Sequence, residues 1–84
     1  MRLAFTPEAW DEHLYWQEYN KQVRKKVNKL IKDILRDPFD GIGKPEPLKH
    51  EFQGCWSRRI TEEHRLVYEV FEKEIVIISC KYHY

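Results

Sequence analysis

A glutamate held between two prolines is the residue of this chain best prepared for acid–base chemistry. In Pro45-Glu46-Pro47 the first proline fixes its own φ, and the second biases Glu46 toward an extended backbone. A stiffened loop holds a carboxylate in place with little entropy to lose, which is what a general base requires. From spacing alone, a surface glutamate paired with Lys44 or Lys49 remains the simpler interpretation.

Arginines and a histidine near the end of the chain extend this chemistry to cleavage of RNA. RNA supplies its own nucleophile, the 2′-hydroxyl, so the protein needs a base, cations for the phosphorane and an acid for the leaving 5′-oxygen. Glu46 fits the first role, Arg65 with Arg59 the second, and His83 the third. Each has a plainer alternative, because exposed arginines usually serve solubility or ion pairing, and a histidine near a chain end is usually solvated.

Other catalytic chemistries find little support in the sequence. His13, His50 and His64 are scattered among unrelated segments, which argues against a zinc site, and no cofactor is expected. Residues 41–44, Gly-Ile-Gly-Lys, are too few for a phosphate-binding loop of the GxxxxGK[ST] type. No nucleophilic serine or cysteine is required by the RNA-cleavage interpretation.

Length and composition indicate one small domain spanning residues 1–84. Its 42% apolar and 35% charged residues are typical of a folded globular protein. Cys55 and Cys80 are too few for a disulfide scaffold. No run approaches the roughly 18 apolar residues of a membrane span, and the first ten residues do not resemble a signal peptide. We therefore expect a cytoplasmic protein without a membrane partner.

The net charge of +1 hides a concentrated basic segment. Residues 20–36 hold seven bases and one acid, whereas residues 1–19 hold one base and four acids. Such a segment on a nearly neutral protein suggests contact with a polyanion. A solvated helix face explains it equally well.

The chain divides into elements that could position these groups. Thr6 and Asn20 are predicted helix caps, and the Asp37-Pro38 pair ends the second helix. A loop follows over residues 37–47. The predicted elements are a strand at 2–5, helices at about 7–19 and 21–36, and strands at about 54–60, 65–71 and 74–82. The order predicts an α+β domain, with two N-terminal helices packed on one face of a small, mainly antiparallel four-stranded sheet.

The apolar pattern also predicts which side chains are buried. In the first helix the candidates are Ala9, Trp10, Leu14 and Trp16. In the last strand the helix-facing set is predicted to be Val76, Ile78, Cys80 and Tyr82. Arg58 shares the parity of Trp56 and Ile60, so it requires either a bulge or a position at the edge of the core.

Strand pairing predicts where the cations lie. If residue 59 pairs with 65, and 71 with 75, then residue 65 lies opposite 81 and is a diagonal neighbour of 83. This register places Arg59, Arg65, Lys81 and His83 together on the face that no helix covers.

Three stretches of the sequence carry a resemblance that spans essentially the whole chain. They are GKPEPLKH at 43–50, GCWSRRITEEHRLVY at 54–68 and KYHY at 81–84. These motifs resemble the YoeB family, within the RelE/ParE superfamily of bacterial toxin–antitoxin systems. Cys55 occupies a position where an aromatic residue is common in the family. This is a minor difference that should not affect the chemistry.

The resemblance implies a RelE-like fold and a metal-independent endoribonuclease. Such an enzyme enters the A site of the 70S ribosome, cuts mRNA to leave a 2′,3′-cyclic phosphate, and stops translation. The resemblance assigns Glu46 as base, His83 as acid and Arg65 as transition-state stabiliser assisted by Arg59. It also implies that Lys49 contacts phosphate or tunes Glu46, and that Tyr84 positions the substrate.

The resemblance further implies a set of partners. They are mRNA and ribosomal RNA, a cognate antitoxin, operator DNA through the antitoxin only, and a second copy of the chain. Two alternatives remain: a ParE-like inhibitor of DNA gyrase, and a non-catalytic nucleic-acid-binding module. The first is disfavoured because ParE-like proteins are not expected to keep Glu46, Arg65 and His83.

Overall fold

A computed structural model describes residues 1–83 of the chain. Both helices have the predicted bounds, and Thr6 and Asn20 accept the capping N–H bonds of Ala9 and Val23. A short 3-10 helix at His50–Phe52 was not predicted. The elements in chain order are β1 (Arg2–Phe5), α1 (Pro7–Tyr19), α2 (Lys21–Arg36), β2 (Glu46–Pro47), β3 (Cys55–Arg59), β4 (His64–Val70) and β5 (Glu74–His83).

The described strands form one five-stranded sheet in the order β1-β5-β4-β3-β2. β1 pairs in parallel with β5, and the other neighbouring pairs are antiparallel. The α+β prediction is confirmed, but the predicted count of four strands is one too low. The additional strand is β2, whose two residues pair with Ser57 and Trp56 at the sheet edge, where a proline is tolerated.

The core lies between the two helices and one face of the sheet. α2 carries a regular stripe of buried side chains, as its helical period predicts, and the sheet contributes residues from β4 and β5. In α1 only Ala9 and Trp16 are buried, whereas Trp10 and Leu14 are nearly half exposed, contrary to the prediction. The principal members from α2 and the sheet are Val23, Val27, Leu30, Ile31, Ile34, Leu66, Tyr68, Ile75, Ile77 and Cys80.

The pairing of β4 with β5 contains irregularities that the sequence pattern did not reveal. Between the rung Tyr68–Ile77 and the rung Arg65–Tyr82, β4 advances three residues and β5 advances five. Before these shifts, the hairpin pairs Val70, rather than residue 71, with Ile75, so Ile75 and Ile77, rather than Val76 and Ile78, lie on the helix side. Of the four residues predicted to face the helices in this strand, only Cys80 is fully buried.

Arg58 is fully buried within a cage of acceptors. β3 pairs regularly with β4 at Arg58–Leu66, so a bulge is excluded. Its guanidinium donates to the carboxylate of Asp33 and to the backbone oxygens of Ile42 and Asp37, and its Nε donates to the hydroxyl of Tyr68. The charge is tolerated in the interior because it is paired and hydrogen-bonded. Arg58 thereby ties α2 and the 37–43 loop to the sheet.

The Asp33 carboxylate gives this cage a measurable pH dependence. Hydrogen bonds from Arg36 and Arg58 lower the pKa of Asp33 from 3.8 to about 2. Because the folded-state pKa is depressed, the stabilisation is complete above the unfolded value and is lost as the pH falls through the folded value. We expect wild type to be more stable than Asp33→Asn at neutral pH, and the difference to shrink between about pH 4 and pH 2. Urea unfolding of both proteins across this range measures it; a constant difference would contradict the pairing.

Candidate functional site

The glutamate of the candidate site is carried by an edge strand that the preceding loop anchors. The backbone N–H of Arg59 donates to the oxygen of Gly43 at 2.7 Å, and that of Leu48 donates to the oxygen of Cys55 at 2.9 Å. These bonds flank β2 and fix it against β3. Gly43 has φ +79°, and a Cβ there would come within 2.7 Å of Leu30, so this approach requires glycine. Glu46 itself is exposed to solvent.

The sheet brings Glu46, Arg59 and Arg65 to the same face. Glu46 pairs with Ser57, which lies two residues before Arg59 on β3, and Arg59 pairs with Arg65 as predicted. Opposite residues and residues two apart on a strand point the same way, so the three side chains share the face opposite the helices. Diagonal cross-strand neighbours are about 7–8 Å apart at Cα, within reach of long side chains.

The guanidinium of Arg65 is held by the turn that precedes β4. Its Nη1 donates to the backbone oxygens of Thr61, Glu62 and His64 at 2.8, 3.1 and 3.2 Å. These carbonyl partners orient the guanidinium group. Guanidinium groups bind phosphate with good geometry, so Arg65 has the chemistry that the predicted role needs.

His83 lies one strand position away from the predicted arrangement. It pairs with His64, and the two ring centroids are 5.9 Å apart. His64 in turn packs against Trp16, so this pair follows the parity of the helix-covered side rather than that of Arg65. The His83 side chain is 63% exposed, and its Nε2 lies 3.6 Å from Oε2 of Glu63, beyond hydrogen-bond distance.

The predicted cluster of four cations is therefore wrong in two members. The extra residues in β5 place Tyr82, rather than Lys81, opposite Arg65. The Nζ of Lys81 instead lies 3.8 Å above the ring centre of Tyr15 on α1. The open face gains Tyr82, whose ring contacts Phe52. Sequence reasoning missed Tyr82 because its parity was counted through an unbroken strand.

Two further residues, Lys49 and Tyr84, were predicted to bind the substrate. Lys49 is exposed at the start of the 3-10 helix, close along the chain to Glu46. Tyr84 lies outside the described residues.

Neither metal nor thiol chemistry gains support from residues 1–83. Within that range no three His, Cys, Asp or Glu side chains are grouped to hold a metal ion. Burial raises the pKa of Cys80 to about 12 and also raises that of Cys55, so both thiols stay protonated at neutral pH. The chemistry available on the open face is therefore that of one carboxylate and two guanidinium groups, with an imidazole at its border.

Comparison with known proteins assigns the chain to a family. Residues 5–84 match the family model of the YoeB-like toxin of bacterial type II toxin–antitoxin systems. The chain belongs to the YoeB family. Toxin YoeB of Escherichia coli K12 is 60% identical over 84 residues, with all of both chains covered. Toxin YoeB of Synechocystis is 55% identical, with 100% of this chain and 98% of that protein covered.

Solved structures of YoeB proteins share the fold at high similarity. A YoeB/ParE toxin from Agrobacterium tumefaciens superposes with a TM-score of 0.95 at 45% identity, with both chains fully covered. The YoeB dimer of Staphylococcus aureus gives 0.92 at 48% identity, with 100% of this chain and 98% of that chain covered. YafQ of Escherichia coli is only 15% identical, and it superposes with a TM-score of 0.79 over 96% of this chain and 92% of that chain. This likeness shows a common fold and nothing more. The RelE-like architecture of the YoeB family is thus confirmed for this chain.

Among the described residues, no helix has the length and apolar character needed to cross a bilayer.

Proposed function

We propose that this toxin is a ribosome-dependent endoribonuclease that cuts mRNA in the A site and thereby stops translation. The observation that carries the proposal is the placement of Glu46, Arg59 and Arg65 on the uncovered face of the sheet in a YoeB-family chain. A carboxylate facing two guanidiniums suits attack by a neighbouring hydroxyl on a phosphodiester.

In the proposed mechanism the reacting nucleophile belongs to the RNA. Glu46 takes the proton of the 2′-hydroxyl, whose oxygen attacks the adjacent phosphorus. Arg65, assisted by Arg59, stabilises the charge that builds on the phosphorane oxygens. His83 donates a proton to the departing 5′-oxygen. The products are a 2′,3′-cyclic phosphate and a new 5′-hydroxyl end, and no metal or other cofactor is needed.

The acid role requires the His83 ring to turn from Glu63 toward the open face. This side chain is 63% exposed, and its contact with Glu63 is long and lies in solvent. Exposed ion pairs of this kind contribute little free energy, so the loss of the contact with Glu63 costs little. Lys49 is proposed to contact the phosphate or tune Glu46, and Tyr84 to position the substrate.

The basic side of α2 is the proposed contact with ribosomal RNA. Five of its seven cations are exposed, on the helix surface away from the buried stripe. Phosphate contacts of this type release counterions, so docking on the 70S ribosome should weaken steeply with salt. The exposed cations are Lys21, Lys25, Lys29, Lys32 and Arg36.

Relatives of known structure suggest the protein partners. Staphylococcus aureus YoeB has been solved both as a dimer and in a heterotetrameric YoeB–YefM toxin–antitoxin complex. We propose that this chain is likewise bound by a cognate antitoxin of the YefM type and contacts operator DNA only through it. Homodimerisation is proposed on the same grounds, and a cytoplasmic location is proposed because translating ribosomes are the proposed target.

The test is to map 5′ ends of a defined mRNA incubated with the purified toxin and translating 70S ribosomes. We expect cuts at A-site codons with wild type, and about 100-fold slower cutting with His83→Ala, since general acid catalysis typically contributes 10²–10⁴-fold. His50→Ala, which removes another exposed histidine, should cut like wild type. Equal cutting by His83→Ala would overturn the acid assignment.

Two further arms separate the alternatives. Growth inhibition without transcript cleavage, together with inhibition of purified gyrase, would favour the ParE-like function. Binding of RNA with neither effect would favour the non-catalytic module. Either result would refute the nuclease proposal.

A further inference from the structure

β5 continues well past the last residue that pairs with β1, its neighbour at the edge of the sheet. β1 pairs with β5 only as far as the rung Phe5–Ile77. From there the chain turns into α1, and Thr6 takes over the pairing. Its backbone N–H donates to the oxygen of Ile77 at 3.0 Å, and its hydroxyl donates to the oxygen of Ile78 at 3.3 Å.

Two side chains of α1 then hold both backbone groups of Cys80. Oε1 of Glu12 accepts from the Cys80 N–H at 3.0 Å, and the indole Nε1 of Trp16 donates to the Cys80 oxygen at 2.6 Å. The same Glu12 oxygen accepts from the hydroxyl of Ser79 at 3.0 Å. Residues four apart lie on one face of a helix, so Glu12 and Trp16 act on the same stretch of strand. We call this pair the α1 clamp.

The α1 clamp lies where β5 accommodates its extra residues. Extending the regular register of the rungs Val70–Ile75 and Tyr68–Ile77 would place Cys80 opposite Arg65. In the structure Tyr82 occupies that place, two residues further along. At about 3.4 Å per residue, the irregularities draw the chain end back by about 7 Å. Without them, His83 would lie beyond the first residue of β4.

We propose that Glu12 and Trp16 are positioning residues that set the register of the β5 end, and through it the place of His83 beside the open face. This inference rests on the proposed nuclease function. Its basis is the juxtaposition of the α1 clamp with the irregular pairing between Ile77 and Tyr82. Neither residue touches the substrate in this arrangement.

Three substitutions separate the hydrogen bonds from charge and bulk. Glu12→Gln retains an oxygen that accepts from Ser79 and Cys80, whereas Glu12→Ala removes it. Glu18→Ala removes the same charge from an exposed position of α1 and is the matched control. Trp16→Phe keeps an aromatic ring in the core but removes the indole donor.

The expected result is a fall in kcat with little change in KM. Displacement of a catalytic group by about 1 Å can cost about 100-fold, so we expect Glu12→Ala and Trp16→Phe to lose about 10- to 100-fold in kcat. Glu12→Gln and Glu18→Ala should remain within about twofold of wild type. KM should stay close to the wild-type value because these substitutions do not alter the basic side of α2. All rates are measured on ribosomes well below each variant's melting temperature.

Hydrogen exchange provides a readout that does not depend on cleavage. We expect the Cys80 amide to exchange at least tenfold faster in Glu12→Ala than in Glu12→Gln, and the contact between the rings of His64 and His83 to weaken in NMR spectra. A purely structural role would lower the melting temperature of Glu12→Ala but leave its kcat unchanged. That result, or unchanged exchange at Cys80, would overturn the positioning role.

The failure of this inference differs from the failure of the proposed function. If wild type does not cleave on ribosomes, the nuclease proposal fails and the positioning role fails with it. If wild type cleaves and Glu12→Ala cleaves equally fast, only the positioning role is overturned.

Discussion

Replacement of Glu46 by glutamine should slow mRNA cleavage on the ribosome by about 10²–10⁴-fold, the usual contribution of a general base. The glutamine keeps the shape of the side chain but cannot accept the 2′-hydroxyl proton at neutral pH. Because Glu46 is exposed, the free energy of unfolding should change by less than about 0.5 kcal/mol. Single-turnover cleavage on programmed ribosomes measures the rate, and urea unfolding measures the stability.

Glu51→Gln is the matched control for this experiment. Glu51 is an exposed glutamate in the 3-10 helix that follows the same loop, and its loss removes the same charge. We expect it to cut at the wild-type rate. Equal losses in the two variants would show that Glu46 contributes only negative charge, and unchanged cleavage by Glu46→Gln would remove it from the reaction.

Replacement of Arg58 by methionine should destabilise the fold by about 3–5 kcal/mol, the cost of removing one partner of a buried ion pair. Methionine fills much of the same space but donates no hydrogen bonds. The Asp33 carboxylate, the Tyr68 hydroxyl and the oxygens of Ile42 and Asp37 would all lose a donor. Urea or thermal unfolding of the purified protein measures the effect.

The neighbouring arginine provides the comparison. Arg59 is exposed on the other face of β3, so Arg59→Met should change the unfolding free energy by no more than about 0.5 kcal/mol. Similar values for the two variants would mean that the buried cage contributes little to stability. The cage also holds the 37–43 loop that leads to β2. We therefore expect those Arg58→Met molecules that remain folded to cleave more slowly than wild type.

The helices could be predicted from the sequence because each signal was local. Thr6-Pro7 and Asn20 mark helix starts by their capping chemistry, and the stripe from Val23 to Ile34 repeats with the helical period. The pairing of Arg59 with Arg65 was also predictable, since a short polar turn fixes the register of a hairpin.

The errors arose where tertiary contacts override the local pattern. The extra residues of β5 depend on side chains of α1 more than 60 positions away in the chain, so alternation within the strand could not reveal them. A one-residue slip moves every side chain to the other face. The hairpin pairs Val70 with Ile75, one residue from the predicted register, which explains the errors at Val76 and Ile78, and the extra residues explain the error at Lys81. β2, with two residues, is too short to produce a pattern.

Trp10 and Leu14 were misplaced for a different reason. Their apolar character suggested burial, but Trp10 stacks on His13 and contacts Phe5 at the outer margin of the domain, where 47% of its surface remains exposed. Large apolar side chains on a surface cannot be distinguished from core residues by type alone.

The parallel pairing of β1 with β5 has a consequence for synthesis of the toxin. Residues 2–5 are made well before their partners, residues 74–77, which lie 72 positions further along the chain. A nascent chain therefore cannot close this edge of its sheet until residues 74–77 have emerged from the ribosome. Until then the buried stripe of α2 lacks the β5 side chains that complete its core, so the helices are open to aggregation while the chain is made.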